Sequence, residues 1–115
     1  MADQAEFLIF RTGWDKYWGQ KKYFGEYPVV SMEVCQYLLD SQKKGVGFDV
    51  IGIDPVSDGN LTRHKMLLSQ RDIVIIENLT NLDKVSGGLF TFAALPLKYQ
   101  DADGAPVRAV AILEE

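Results

Sequence analysis

A chain of 115 residues, 47% of them hydrophobic, can bury roughly two thirds of its unfolded surface and so builds one modest core. Its formal charge of −4 and pI near 4.9 exclude a general binder of nucleic acid or of anionic membrane, because phosphate affinity comes from clustered Lys and Arg. The one basic cluster, Lys16, Lys21 and Lys22, is diluted by Asp15 and Glu26, which disfavours base stacking on the aromatic residues interleaved with it.

The apolar run from Glu6 to Arg11 has strand length, and Thr12-Gly13 breaks it before an aromatic loop that reaches Tyr27-Pro28. A loop of that length tends to be functional or to cover a site. Ser31 can cap the following helix, in which Met32, Cys35, Leu38 and Leu39 form one apolar face that ends near Lys43 and Lys44. The single Cys35 cannot form an internal disulfide, and on that face it reads as a buried thiol in a reducing compartment.

A second strand is predicted from Phe48 to Ile53, apolar enough to be buried on both faces as in a parallel sheet. Asp58 to Asn60 then opens a short helix whose buried stripe is Leu61, Leu67 and Leu68, with His64 one turn before Leu68. A third strand runs from Asp72 to Glu77, a helical turn from Leu79 to Val85, and a fourth strand from Phe90 to Tyr99 after the Gly87-Gly88 break. Asp101-Ala102-Asp103-Gly104 is a turn signal that folds Val107 to Leu113 back as a hairpin. The β-α-β order predicts a single α/β domain with a mixed sheet, two main helices and a C-terminal hairpin. No apolar run approaches the ~20 residues that cross a bilayer, and there is no basic leader. The expected location is the cytoplasm.

Two residues stand out chemically. His64 is the only histidine, and Glu77 ends the apolar run Ile73-Val74-Ile75-Ile76. A carboxylate at such a position loses water and needs a cation or a set of donors to offset that loss. Taken alone, His64 is a half-exposed helix residue, and Glu77 is a strand-end carboxylate able to cap the next turn. A histidine with a free pKa near ~6.5 can also ligate a metal or move a proton near neutral pH. No nucleotide-binding glycine motif, zinc-binding Cys pair or nucleophile elbow competes with this chemistry.

The segments Phe7-Leu8-Ile9-Phe10-Arg11-Thr12-Gly13-Trp14, Tyr27-Pro28, Gly52-Ile53-Asp54-Pro55-Val56-Ser57, His64, Glu77-Asn78-Leu79, Ala94-Leu95-Pro96-Leu97-Lys98 and Asp103-Gly104-Ala105-Pro106-Val107-Arg108 resemble, in this order, the cyclase family of metal-dependent hydrolases. That family includes kynurenine formamidase and isatin hydrolase. The resemblance is to the C-terminal half of the family's domain over residues 1–115, without the upstream His-x-Gly-Thr-His-x-Asp motif that supplies most metal ligands. It implies that Glu77 is the C-terminal carboxylate ligand of a divalent zinc or manganese ion, and that His64 is a ligand or proton-transfer group at the same centre. The implied reaction is hydrolysis of an amide or cyclic amide in a small-molecule substrate. A catalytic zinc takes about three protein ligands, so further ligands would come from a missing N-terminal half or from another chain.

Trp14, Tyr17 and Trp18 are candidates for an aromatic wall against the substrate, or equally for a subunit interface. Asp54 and Ser57 lie at the C-terminal end of a predicted strand, where ligands bind in open α/β sheets, though turn chemistry accounts for both slightly better. Arg11 can bind an anionic substrate, but an ion pair within the sheet is the more economical reading, and Arg108 covers apolar surface with its stem. The competing expectation is a truncated, catalytically inactive remnant that holds a small ligand against Trp14 and Trp18. Either reading expects a homo-oligomer, a dimer in the simplest case, because a half-domain leaves apolar surface and sheet edges uncovered.

Overall fold

In a computed structural model, residues 1–70, 72–85 and 87–113 are described. They divide into two compact units, Met1–Lys84 and Val85–Glu115. The first holds strands β1 (Phe7–Phe10), β2 (Gly45–Phe48) and β3 (Val74–Ile76), with helix α1 (Met32–Asp40) between β1 and β2 and helix α2 (Thr62–Gln70) between β2 and β3. All pairings are parallel, in the order β1-β2-β3, with Leu8 opposite Val46 and Val46 opposite Ile75. The second unit is an antiparallel hairpin of β4 (Thr91–Pro96) and β5 (Val107–Ile112). The α/β class, the two helices and the C-terminal hairpin are as the sequence predicts. The parallel and antiparallel strands lie in separate sheets.

The core of the first unit joins Cys35, Leu38 and Leu39 of α1, Val46 and Phe48 of β2, Leu67 of α2, and Val50, Ile53 and Ile73. Glycines let the parallel strands close up. A Cβ on Gly45 would lie 1.9 Å from the Phe7 ring, and one on Gly47 2.7 Å from Ile9 and 2.8 Å from Leu79.

Strands β3 and β4 are shorter than predicted, Val74–Ile76 and Thr91–Pro96 in place of Asp72–Glu77 and Phe90–Tyr99, and other predicted boundaries move for visible reasons. Helix α1 ends at Asp40, not near Lys44, because Gln42 turns left-handed with φ 55°. Its N–H bonds Leu39 O at 3.1 Å while the Lys43 N–H bonds Leu38 O at 3.0 Å, the paired bonds of a Schellman stop. Lys43 is thereby buried, with Nζ donating to the carbonyls of Ala2 and Ala5 at 2.6 and 2.7 Å.

Strand β2 begins at Gly45 and stops at Phe48, earlier than predicted. Asp49 is the cause. Its fully buried carboxylate accepts the N–H groups of Thr12 and Gly13 at 2.9 and 2.7 Å and the Thr12 hydroxyl at 2.6 Å. The side chain thus takes donors that a longer β1–β2 ladder would use, and Val50 to Ile53 continue as buried irregular chain.

In α2 only Leu67 of the predicted stripe is buried, and Leu61 and Leu68 are exposed. The face carrying Arg63, His64 and Leu67, three and four residues apart, turns inward instead. The helical turn predicted from Leu79 to Val85 shrinks to a 3-10 turn at Leu82–Lys84, after left-handed Asn78 and Asn81.

Candidate active site

Three side chains from three separate segments meet at the end of the parallel sheet. Glu77 directly follows β3, Asp54 closes the irregular chain after β2, and His64 sits in the first turns of α2. Nδ1 of His64 lies 2.8 Å from Oδ2 of Asp54, and Nε2 lies 3.2 Å from Oε1 of Glu77. The imidazole therefore bridges two carboxylates. Asp54 is buried at 3% exposure, whereas the His64 and Glu77 side chains keep 26% and 27%, so this end of the row meets solvent.

Local structure fixes each member. Asp54 Oδ1 accepts the Arg63 N–H at 2.6 Å and Oδ2 the His64 N–H at 3.1 Å, satisfying donors that the start of α2 leaves free. Asp58 takes the Thr62 N–H at 3.1 Å. The backbone of Asp54 is held in turn, because the Tyr27 hydroxyl donates to its carbonyl at 2.6 Å. Arg63 closes the rear of the site, with Nε donating to Val30 O at 2.8 Å and a guanidinium nitrogen 3.8 Å from Asp54 Oδ1.

Glu77 does not cap the following turn. Its Oε1 accepts the Ile53 N–H at 3.1 Å and faces His64. Burial pushes its carboxyl above the ordinary carboxylate range, opposed by the neighbouring imidazole and the Ile53 N–H. Tyr27 is likewise raised by burial and then by the charges of Glu77 and Asp54. Gly52 leaves room for both: a Cβ there would lie 3.0 Å from the Tyr27 hydroxyl and 3.7 Å from Glu77 Oε1.

The aromatic loop forms two 3-10 turns, Trp14–Tyr17 and Lys21–Phe24. It is tied to the segment that carries Glu77: the Tyr23 hydroxyl donates to Asn78 Oδ1 at 2.6 Å, and the Thr80 hydroxyl to Asp15 Oδ2 at 3.0 Å. Trp14 packs against the core, with its indole N–H on Tyr23 O at 3.2 Å. Tyr17 packs edge-on to Trp14 at 4.8 Å, and the Lys22 ammonium lies 4.0 Å from the Tyr17 ring centroid. That ammonium lowers the Tyr17 phenol below its usual range, with Lys16 assisting. Trp18 is 66% exposed.

Of the sequence candidates, His64, Glu77 and Asp54 come together, and Asp54 both accepts the backbone N–H groups at the start of α2 and meets the His64 ring. Ser57 is exposed and shares no bond with this group, and Arg11 is exposed at the end of β1. Tyr27 and Arg63 were not singled out by their sequence context. The single available signal was Tyr27-Pro28 within the resemblance.

The donor chemistry suits a cation in part. If Asp54 holds the Nδ1 proton, the lone pair of Nε2 and the Glu77 carboxylate face the same point, an arrangement that requires a proton or a cation. Two donors do not complete a catalytic metal site, and among the described residues no group of three His, Cys, Asp or Glu side chains is placed to hold a metal ion. His64 and Glu77 thus fit as part of a metal site and not as the whole.

Residues 2–55 match the Cyclase family model, described as "Putative cyclase". An uncharacterized protein of Methanocaldococcus jannaschii is 40% identical over 110 residues, covering 95% of this chain and 55% of that protein. A kynurenine formamidase of Bacillus cereus is 38% identical over 107 residues, covering 92% and 49%. Among solved structures, a predicted metal-dependent hydrolase from Bacillus stearothermophilus aligns with a TM-score of 0.70 at 31% identity, over 93% of this chain and 49% of that one. A potential metal-dependent hydrolase with cyclase activity aligns with a TM-score of 0.64 at 36% identity, over 74% and 41%. Family model, sequence relatives and solved structures alike show similarity to the cyclase family, and the chain spans about half the length of the curated relatives it matches.

Proposed function

We propose that this chain forms part of a metal-dependent hydrolase acting on amide or cyclic amide bonds, with kynurenine formamidase-like chemistry. The observation that carries the reading is His64 Nε2 facing Glu77 Oε1 at 3.2 Å beside a raised Glu77 carboxyl. Glu77 is the metal ligand, for zinc or manganese, both of which accept a carboxylate and imidazole set. When bound, such an ion polarises an amide carbonyl and activates water for attack. His64, partly exposed, moves the proton at Nε2 between the attacking water and the leaving nitrogen. Trp14, Tyr17 and Trp18 supply an aromatic surface for an aryl substrate, Arg11 an exposed cation for an acidic one, and Ser57 a hydroxyl on the loop before α2.

The further ligands come from residues beyond these 115 or from a second chain, and a homo-oligomer is one way to supply them. A cytoplasmic setting fits the buried free thiol of Cys35, and among the described residues no helix is long and apolar enough to cross a membrane. A second reading, a non-catalytic protein that self-associates or holds a small ligand, draws on the exposed apolar side chains of the hairpin unit, among them Leu95 at 78% and Ile112 at 56%. The test is hydrolysis of formyl-aryl amides and cyclic amides by the chain assembled with the residues that complete its metal site. Glu77→Gln abolishes turnover on the hydrolase reading, and full activity in that variant overturns it.

A further inference from the structure

We propose that Asp54 is a positioning residue that fixes the tautomer of His64, holding the proton on Nδ1 so that the unprotonated Nε2 faces Glu77. The inference deepens the hydrolase reading and takes its functional meaning from it, but the geometry concerns this chain alone. Oδ2 of Asp54 lies 2.8 Å from Nδ1 and also accepts the His64 backbone N–H at 3.1 Å. One oxygen therefore fixes both the backbone and the ring of the same residue. Both ring nitrogens face a carboxylate, and an ionised carboxylate only accepts hydrogen bonds; Asp54, nearer at 2.8 Å against 3.2 Å and 3% exposed against 27% for Glu77, takes the one hydrogen of the neutral ring, on Nδ1.

Asp54 is itself held on every side. Its other oxygen takes the Arg63 N–H at 2.6 Å, its carbonyl takes the Tyr27 hydroxyl at 2.6 Å, and 3% of its side chain is exposed. A group so constrained imposes its geometry on its neighbour. The consequence lies at Nε2, the nitrogen next to Glu77: its lone pair is free to accept a proton or to bind a cation, as the other tautomer would not allow.

The chain offers a clean test, because His64 is its only histidine and a nitrogen-15 spectrum of the full chain carries one imidazole. Above the pH at which the ring becomes neutral, wild type is expected to show Nδ1 protonated and Nε2 unprotonated. Asp54→Ala removes the acceptor at Nδ1 and leaves Glu77 as the carboxylate facing the ring, which favours the hydrogen on Nε2. The tautomer preference should then be lost or reversed, whereas a residue that only capped the helix would leave it unmoved. Glu77→Ala should keep the Nδ1–H form.

An Nε2–H tautomer in wild type overturns the proposal without recourse to any variant. So does an unchanged tautomer in Asp54→Ala, or its loss in Glu77→Ala. The spectrum needs neither metal nor substrate, so its failure would leave the hydrolase reading to its own assay, and inactivity in that assay would leave the tautomer result standing.

Discussion

The hydroxyl of Tyr23 meets Oδ1 of Asn78 at 2.6 Å across 55 positions of sequence, and so ties the aromatic loop to the residue after Glu77. Tyr23 is 1% exposed, so its hydroxyl does not replace the bond easily with water, while the exposed Asn78 is held left-handed at φ 60°. Tyr23→Phe is expected to cost about 1–2 kcal/mol by denaturant unfolding at neutral pH. Burial, then the charges of Asp49, Asp15 and Glu77, raise the phenol above its usual range. A raised folded pKa means that the native state keeps its proton while the unfolded chain releases it, so stability is lost as pH rises past ~10. The gap between wild type and Tyr23→Phe should therefore narrow in alkali. A gap that widens there would contradict the assignment.

Asp49→Ala should be the most destabilising single change outside the apolar core. It orphans the Thr12 and Gly13 N–H groups and the Thr12 hydroxyl, all now on one buried carboxylate. The expected loss is about 3 kcal/mol or more, a large fraction of a small domain's stability. Urea denaturation showing less than ~1 kcal/mol would mean that the Thr12-Gly13 turn holds without Asp49.

Gly45 and Gly59 make a matched pair for the close approach of β1 and β2. A Cβ at Gly45 would collide with the Phe7 ring at 1.9 Å, while one at Gly59 meets nothing within 4 Å. Gly45→Ala should cost about 1–3 kcal/mol by overpacking, and Gly59→Ala should stay within ~0.5 kcal/mol of wild type. Equal melting temperatures for the two variants would contradict the strand spacing.

Much of this fold is legible along the chain because it rests on local pattern. The runs at Phe7–Phe10 and Val74–Ile76 and the spacing of Cys35, Leu38 and Leu39 each locate an element. The boundaries that moved depend on side chains reaching across the fold. Asp49 stops β2 by bonding residues 36 and 37 positions away, and no local rule marks an acid for that task. Gln42 in a left-handed conformation takes a place usually given to glycine.

The site divides in the same way. His64 and Glu77 are visible by residue type, the lone imidazole and the acid at the end of an apolar run. Asp54 precedes a proline and reads as turn chemistry until α2 folds back and places the His64 ring against it. Tyr27 and Arg63 act through a backbone carbonyl and the start of a helix, partners that carry no signature in sequence.

The central claim is that Glu77 ligates a divalent metal ion beside the proton-carrying imidazole of His64, and native mass spectrometry with zinc or manganese, on the chain assembled with the residues that complete the site, tests it most directly. Wild type is expected to carry a stoichiometric metal ion that Glu77→Gln loses, in whatever oligomer the spectrum reveals. Equal metal uptake by both proteins, or none by either, would contradict the claim.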